Sequence, residues 1–195
     1  MRLLYWTTII VMLLLVGLNM VAAPILRHRI ISYTLPVHKT LYVDRNLSEE
    51  ELGIITGAAL EWHLATQGLV SYDVVRMPHH SIDIRNSIII MPISPDFPEV
   101  IGQDTYSGAE SNVGYYDTKY QVPYIGLVVS RIDDKDYVAI ILHELGHSLG
   151  MHHNEDEPGT LMYPSLDLGA HTITDDDLRH FCQLYKCDAS QLHDQ

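Results

Sequence analysis

Between residues 143 and 153 the chain reads HELGHSLGMHH, four histidines and one glutamate in eleven positions. Residues four apart on a helix share a face, so His143 and His147 can offer two imidazoles to one ion. Gly150 ends that helix and lets the chain turn back, which brings His153 round as a third nitrogen ligand. His152 competes for that place, but its spacing sets it one residue early, and His153 is preferred. Three protein ligands leave the fourth tetrahedral position open, the mark of a catalytic rather than a structural zinc site. Glu144, adjacent to the first ligand, is then the expected general base for a water activated by the ion.

Several elements must hold this cluster. Thr40–Asp44 alternates as a strand, and Ser48 with Glu51 three residues on opens a helix by a capping box. Leu52, Ile55, Ala59 and Trp62 recur at helical spacing, so this helix is predicted to run to about Gln67 and stop at Gly68. Ser71–Met77 and Ser87–Ile93 are predicted strands, the second an unbroken apolar run suited to burial on both faces. Residues 94–112, rich in Pro, Gly, Ser and Asp, are expected as a long surface loop. Val113–Asp117 and Tyr124–Arg131 read as two more strands. Asp133 or Asp134 is the expected cap of the next helix, with Val138, Ile141, Leu142 and Leu145 on its apolar side. A last helix is predicted from Thr174 to about Tyr185, with Leu178, Phe181, Cys182 and Tyr185 on one face.

The 195 residues carry a net charge of −13, which argues against a nucleic-acid partner. From Leu3 to Ala23 there is no charge, a run long enough to span a bilayer. Residues 1–23 are therefore expected as an export signal cut after Ala22, with a retained membrane anchor as the alternative. Either would leave the remainder outside the cytosol, secreted or tethered. There Cys182 and Cys187 are expected to close one short disulfide loop, worth about 2 kcal/mol. Residues 24–39 form a connecting segment, 40–187 one domain and 188–195 a tail. Oligomeric state is not legible at this stage.

HELGHSLGMHH resembles the metzincin signature HExxHxxGxxH, and GTLMYPSL downstream resembles that family's Met-turn, with Met162 beneath the zinc. Met162-Tyr163-Pro164 looks most like the matrixin branch, the matrix-metalloproteinase-like family. ITDDDLRHFCQLY, with its paired Asp176 and Asp177, is similar to the matrixin C-terminal helix, and AALEW to the first-helix pattern ending in Trp62. The resemblance implies an α+β, metzincin-like (zincin) fold: a twisted five-stranded mixed sheet with two helices, then a small C-terminal lobe with a third. It implies catalytic Zn2+ and an extended peptide or protein substrate pairing with the edge strand near Val113–Asp117. Tyr163, Pro164 and Ser165 would form part of the wall of the pocket just after the scissile bond.

The departures also set expectations. Asn154 stands where matrixins usually carry Ser. No cysteine precedes Cys182, so latency through a propeptide cysteine is not expected, nor is an accessory domain after Cys187. His79 and His80 do not match a second zinc site. Asp96, Glu99, Asp104 and Glu110, or Glu155, Asp156 and Glu157, could hold Ca2+, with a solvated acidic face preferred. The expected function is a zinc-dependent endopeptidase. The competing class is a zinc-retaining, non-catalytic binding protein on the same scaffold.

Overall fold

In the computed structural model, residues 34–79, 82, 86–93, 105–107, 112–117, 123–133 and 135–192 are described. The apolar segment 3–23 and its Ala22 cut site lie outside these residues, as do His28, His80, Asp134 and the loop acids Asp96, Glu99, Asp104 and Glu110. Among the described residues no helix is long and apolar enough to cross a membrane.

β1 (Val37–Val43) buries Val37, Leu41 and Val43, and by the two-residue period of a strand Lys39 shares their face. Ser48 opens α1 (Glu49–Ala65) with the expected reciprocal cap, its hydroxyl accepting from Glu51 N while Glu51 accepts from Ser48 N. β2 (Val70–Arg76), β1, β3 (Ser87–Pro92) and β6 (Tyr124–Leu127) then pair in parallel. β5 (Asn112–Asp117) runs antiparallel to β6, and β4 (Thr105–Ser107) antiparallel to β5. The sheet order is β2-β1-β3-β6-β5-β4.

The architecture is α+β, but the sheet has six strands rather than five. The sixth is β4, which arises inside the stretch expected to be only loop. It also overturns the expected edge at Val113–Asp117, because β5 is flanked on both sides. A three-residue strand in polar, Gly- and Ser-rich sequence has no periodicity to detect. β3 is buried through Ser87, Ile88 and Ile90 but only half-buried at Ile89 and Met91, so the double burial expected of it is partial. Past Leu127 the predicted strand gives way to a short 3-10 turn at Val129–Arg131.

α2 (Tyr137–Ser148) starts at Asp136, not at Asp133 or Asp134, and Asp136 makes no side-chain cap bond. Ile132 packs in extended form against the core and leaves Asp133 exposed, which delays the helix. Beyond its first turn α2 is buried all round. Val138, expected on the apolar face, sits in that first turn and is exposed.

Trp62 of α1 is fully buried and its indole donates to Leu142 O at 3.0 Å, fastening α1 to α2. Its ring lies 6.4 Å from Phe181 of α3 (Asp175–Tyr185), which stacks on Tyr185 at 4.5 Å. The Tyr185 hydroxyl donates to Leu149 O at 2.9 Å and Lys39 Nζ donates to Ser148 O at 2.7 Å. Two carbonyls left over at the end of α2 are thereby satisfied. Burial lowers the Lys39 pKa from its ordinary value, while the negative end of the helix dipole favours the ammonium there. Cys182 and Cys187 are joined as a disulfide across the C-terminus of α3.

Candidate metal centre

α2 carries His143 and His147 one turn apart and both buried, with Glu144 fully buried between them in sequence. The helix ends in a Schellman motif: Met151 N donates to Gly146 O at 3.2 Å and Gly150 N to His147 O at 2.9 Å. Gly150 adopts φ +87°, the left-handed conformation that glycine takes without strain. The chain so reversed delivers half-buried His153 to the other two histidines, and His152 points to solvent as an exposed residue. His153 Nε2 lies 3.2 Å from His143 Nε2 and 3.2 Å from His147 Nε2.

The far ring nitrogens explain this convergence. His143 Nδ1 meets Leu161 O at 2.6 Å and His147 Nδ1 meets Met151 O at 2.9 Å. A carbonyl only accepts, so each Nδ1 carries the proton and each Nε2 turns a lone pair inward. With their protons held on the far side, His143 Nε2 and His147 Nε2 are arranged together with His153 Nε2 to share a cation. Zinc–nitrogen bonds of about 2.0–2.1 Å at tetrahedral angles place ligand nitrogens about 3.3 Å apart, close to what is seen. Burial lowers the His143 pKa well below the ordinary imidazole value, and neighbouring His147 adds to the effect, both favouring the neutral ligand form. The three residues fit Zn2+. Among the described residues they are the one such group of possible ligands, and Glu155, Asp156 and Glu157 are exposed and form none.

Beneath the triad runs the turn at Met162. Leu161 O takes the His143 proton donor, and Met162 O accepts from Asn154 N at 2.9 Å, directly after the third ligand. Asn154, the departure from the usual Ser, also donates from its side chain to Glu157 at 2.8 Å. The Met162 side chain is fully buried against Gly146: a Cβ there would lie 2.5 Å from Met162 Sδ. Tyr163, Pro164 and Ser165 follow, half-buried. An open cleft of about 330 Å³ adjoins His153 and reaches Asp176, Arg179 and His180 of α3.

Sequence reading gave two supports no task. The buried Asp177 carboxylate accepts from Leu161 N at 2.9 Å and Met162 N at 3.1 Å. It also caps its own helix from the Thr174 backbone and hydroxyl. Thr174 followed three residues later by Asp177 signals a cap, but nothing in the sequence signals the reach back to residue 162. Lys39, on the strand beneath α2, is the second.

The matrixin family model matches residues 62–186, more than half of the chain, taking in the triad, the turn at Met162 and α3. No curated protein sequence matches. Among solved structures, high choriolytic enzyme 1, a hatching-enzyme zinc protease from the medaka fish Oryzias latipes, is similar at 23% identity and a TM-score of 0.32. That likeness covers 60% of this chain and 45% of the medaka one, so the chain matches less than half of that protein. The family match, over residues that include every member of the histidine triad, shows that the chain belongs to the matrixins, a family of zinc metalloendopeptidases.

Proposed function

We propose that residues 40–187 form an endopeptidase domain that hydrolyses peptide bonds of extended polypeptides. The observation that carries this is the inward convergence of three Nε2 atoms, with Glu144 on the same helix next to His143. Bound zinc supplies Lewis acidity, lowering the pKa of water towards ~7 and polarising the scissile carbonyl. Glu144 takes the proton of the attacking water and delivers it to the leaving amine. Its full burial keeps that carboxylate in a low-dielectric setting where exchange with bulk water competes poorly with transfer to the leaving amine. His143 and His147 are held in their ligating tautomers by Leu161 O and Met151 O. Tyr163, Pro164 and Ser165, which leave the site directly after Met162, form a wall of the pocket beyond the scissile bond. Between α2 and the stretch leading to α3 the domain forms two lobes with the substrate in their cleft. The Cys182–Cys187 disulfide suits an oxidising compartment, and with segment 1–23 supports export from the cytosol.

The test is zinc analysis of the purified chain and a peptide library assayed beside Glu144→Ala. About one zinc per chain is expected in both proteins, with cleavage falling roughly 10²–10⁴-fold in the variant. A native chain that binds zinc yet cuts nothing would leave the zinc-binding, non-catalytic alternative, whereas an equally active Glu144→Ala would refute Glu144 as the general base.

A further inference from the structure

The sheet has two edges, and they have different neighbours. β2 lies against α1, whereas β5 and β4 lie against α2, the helix that carries His143, Glu144 and His147. An extended peptide that reaches the metal centre and extends this sheet must therefore join it on the β4 side. There the longer strand is β5, whose Gly114–Asp117 stretch pairs with β6. Its opposite edge is paired with β4 from Asn112 to Tyr115: Thr105 opposite Tyr115, Tyr106 opposite Gly114, and Ser107 opposite Asn112.

We propose that β4 is a self-inhibitory strap, occupying on β5 the antiparallel position that a substrate peptide takes when it binds. This rests on the endopeptidase reading and adds a means of restraint within the domain. Two features favour displacement of β4 over addition of a peptide to its outer side. β4 is only three residues long, and its register shifts between Tyr106 and Ser107. Short, bulged edge strands are poor templates for a further strand. The same shortness and shift leave few ladder bonds to be broken when β4 departs. A peptide longer than three residues would gain more main-chain bonds on β5 than β4 gives up.

Backbone amide exchange on the full zinc-loaded chain tests this, with the hexapeptide hydroxamate Leu-Ala-Gly-Leu-Ala-Gly-NHOH as probe. Displacement predicts that Thr105–Ser107 lose protection on saturation while Asn112–Tyr115 keep theirs. Independently, the double variant Thr105→Pro/Ser107→Pro, which deletes two backbone donors of β4, should lower KM for a library peptide several-fold with kcat unchanged. Retained protection at Thr105–Ser107 with the probe bound, or a KM that rises or stays level in the variant, overturns the strap. If the zinc-loaded native chain cuts nothing, the hydrolytic reading fails by itself, and the exchange result still decides the strap. A native chain that ignores the probe while the proline variant binds it supports the strap, and failure of both to bind overturns it.

Discussion

The Asp177 carboxylate sits where the last helix meets the turn under the metal centre, accepting four hydrogen bonds, two of them from Leu161 N and Met162 N. Asp177→Asn keeps the shape but turns an NH2 towards donors and removes the charge. A buried charge-assisted bond is worth about 1.5–3 kcal/mol, so a loss of that order is expected in chemical unfolding. Because Leu161 O orients His143, zinc affinity should fall with it; unaltered affinity would show that the turn holds His143 without Asp177. Gly146 supplies a second case. Alanine ordinarily gains about 1 kcal/mol over glycine inside a helix. At Gly146 the added Cβ meets Met162 Sδ at 2.5 Å in a fully buried contact, and overpacking costs about 1–3 kcal/mol. Gly146→Ala should therefore lose stability, while Gly57→Ala at an exposed position of α1, with nothing within 4 Å, should gain it. Equal gains at both sites would show that Met162 moves aside freely.

At the scale of elements, the start of α1 is bound to the start of α2. Burial pushes the Glu51 pKa up, but hydrogen bonds from Ser48 and Tyr137 and the charge of Arg76 outweigh it and leave it below 4.5. The Tyr137 hydroxyl that donates to Glu51 at 3.0 Å is itself raised by burial and by that carboxylate. A carboxylate with a depressed folded pKa contributes stability that is full above 4.5 and is lost as the pH falls through the folded value. The midpoint of thermal unfolding should thus drop more steeply on acidification in the native chain than in Glu51→Gln, and parallel curves would refute the assignment. The Ser48–Glu51 cap was legible beforehand because it is a local pattern; for the last helix only the start at Thr174 was read, although its Thr174–Asp177 cap is equally local. The start of α2 was not, since three aspartates crowd residues 133–136 and only the packing of Ile132 and Tyr137 selects Asp136. β4 was illegible for the same reason in stronger form: its only determinant is a partner strand it meets in space. The ligand triad was readable because helix period and one glycine fix its geometry, whereas Asp177 and Lys39 act across distances no spacing rule covers.

For the whole molecule, the metal would join parts that the apolar core already holds near one another. His143 and His147 belong to a helix that buries its own Ile140, Ile141, Leu142 and Leu145 in the core, while His153 hangs on the reversed chain beyond Gly150. Zinc bound only by the folded state adds stability by mass action, about 4 kcal/mol at a thousandfold excess over Kd. At about 2–4 °C per kcal/mol for a domain of this size, chelation should lower the unfolding midpoint by roughly 10 °C, and added zinc should restore it. The chelated chain should still unfold cooperatively, unlike a small zinc finger, because Trp62, Phe181 and the sheet face are buried without any contribution from the ion. Calorimetry with and without chelator decides both points. A midpoint indifferent to zinc would mean that the three imidazoles do not grip the ion, and collapse of the fold on chelation would mean that the core is weaker than its burial indicates.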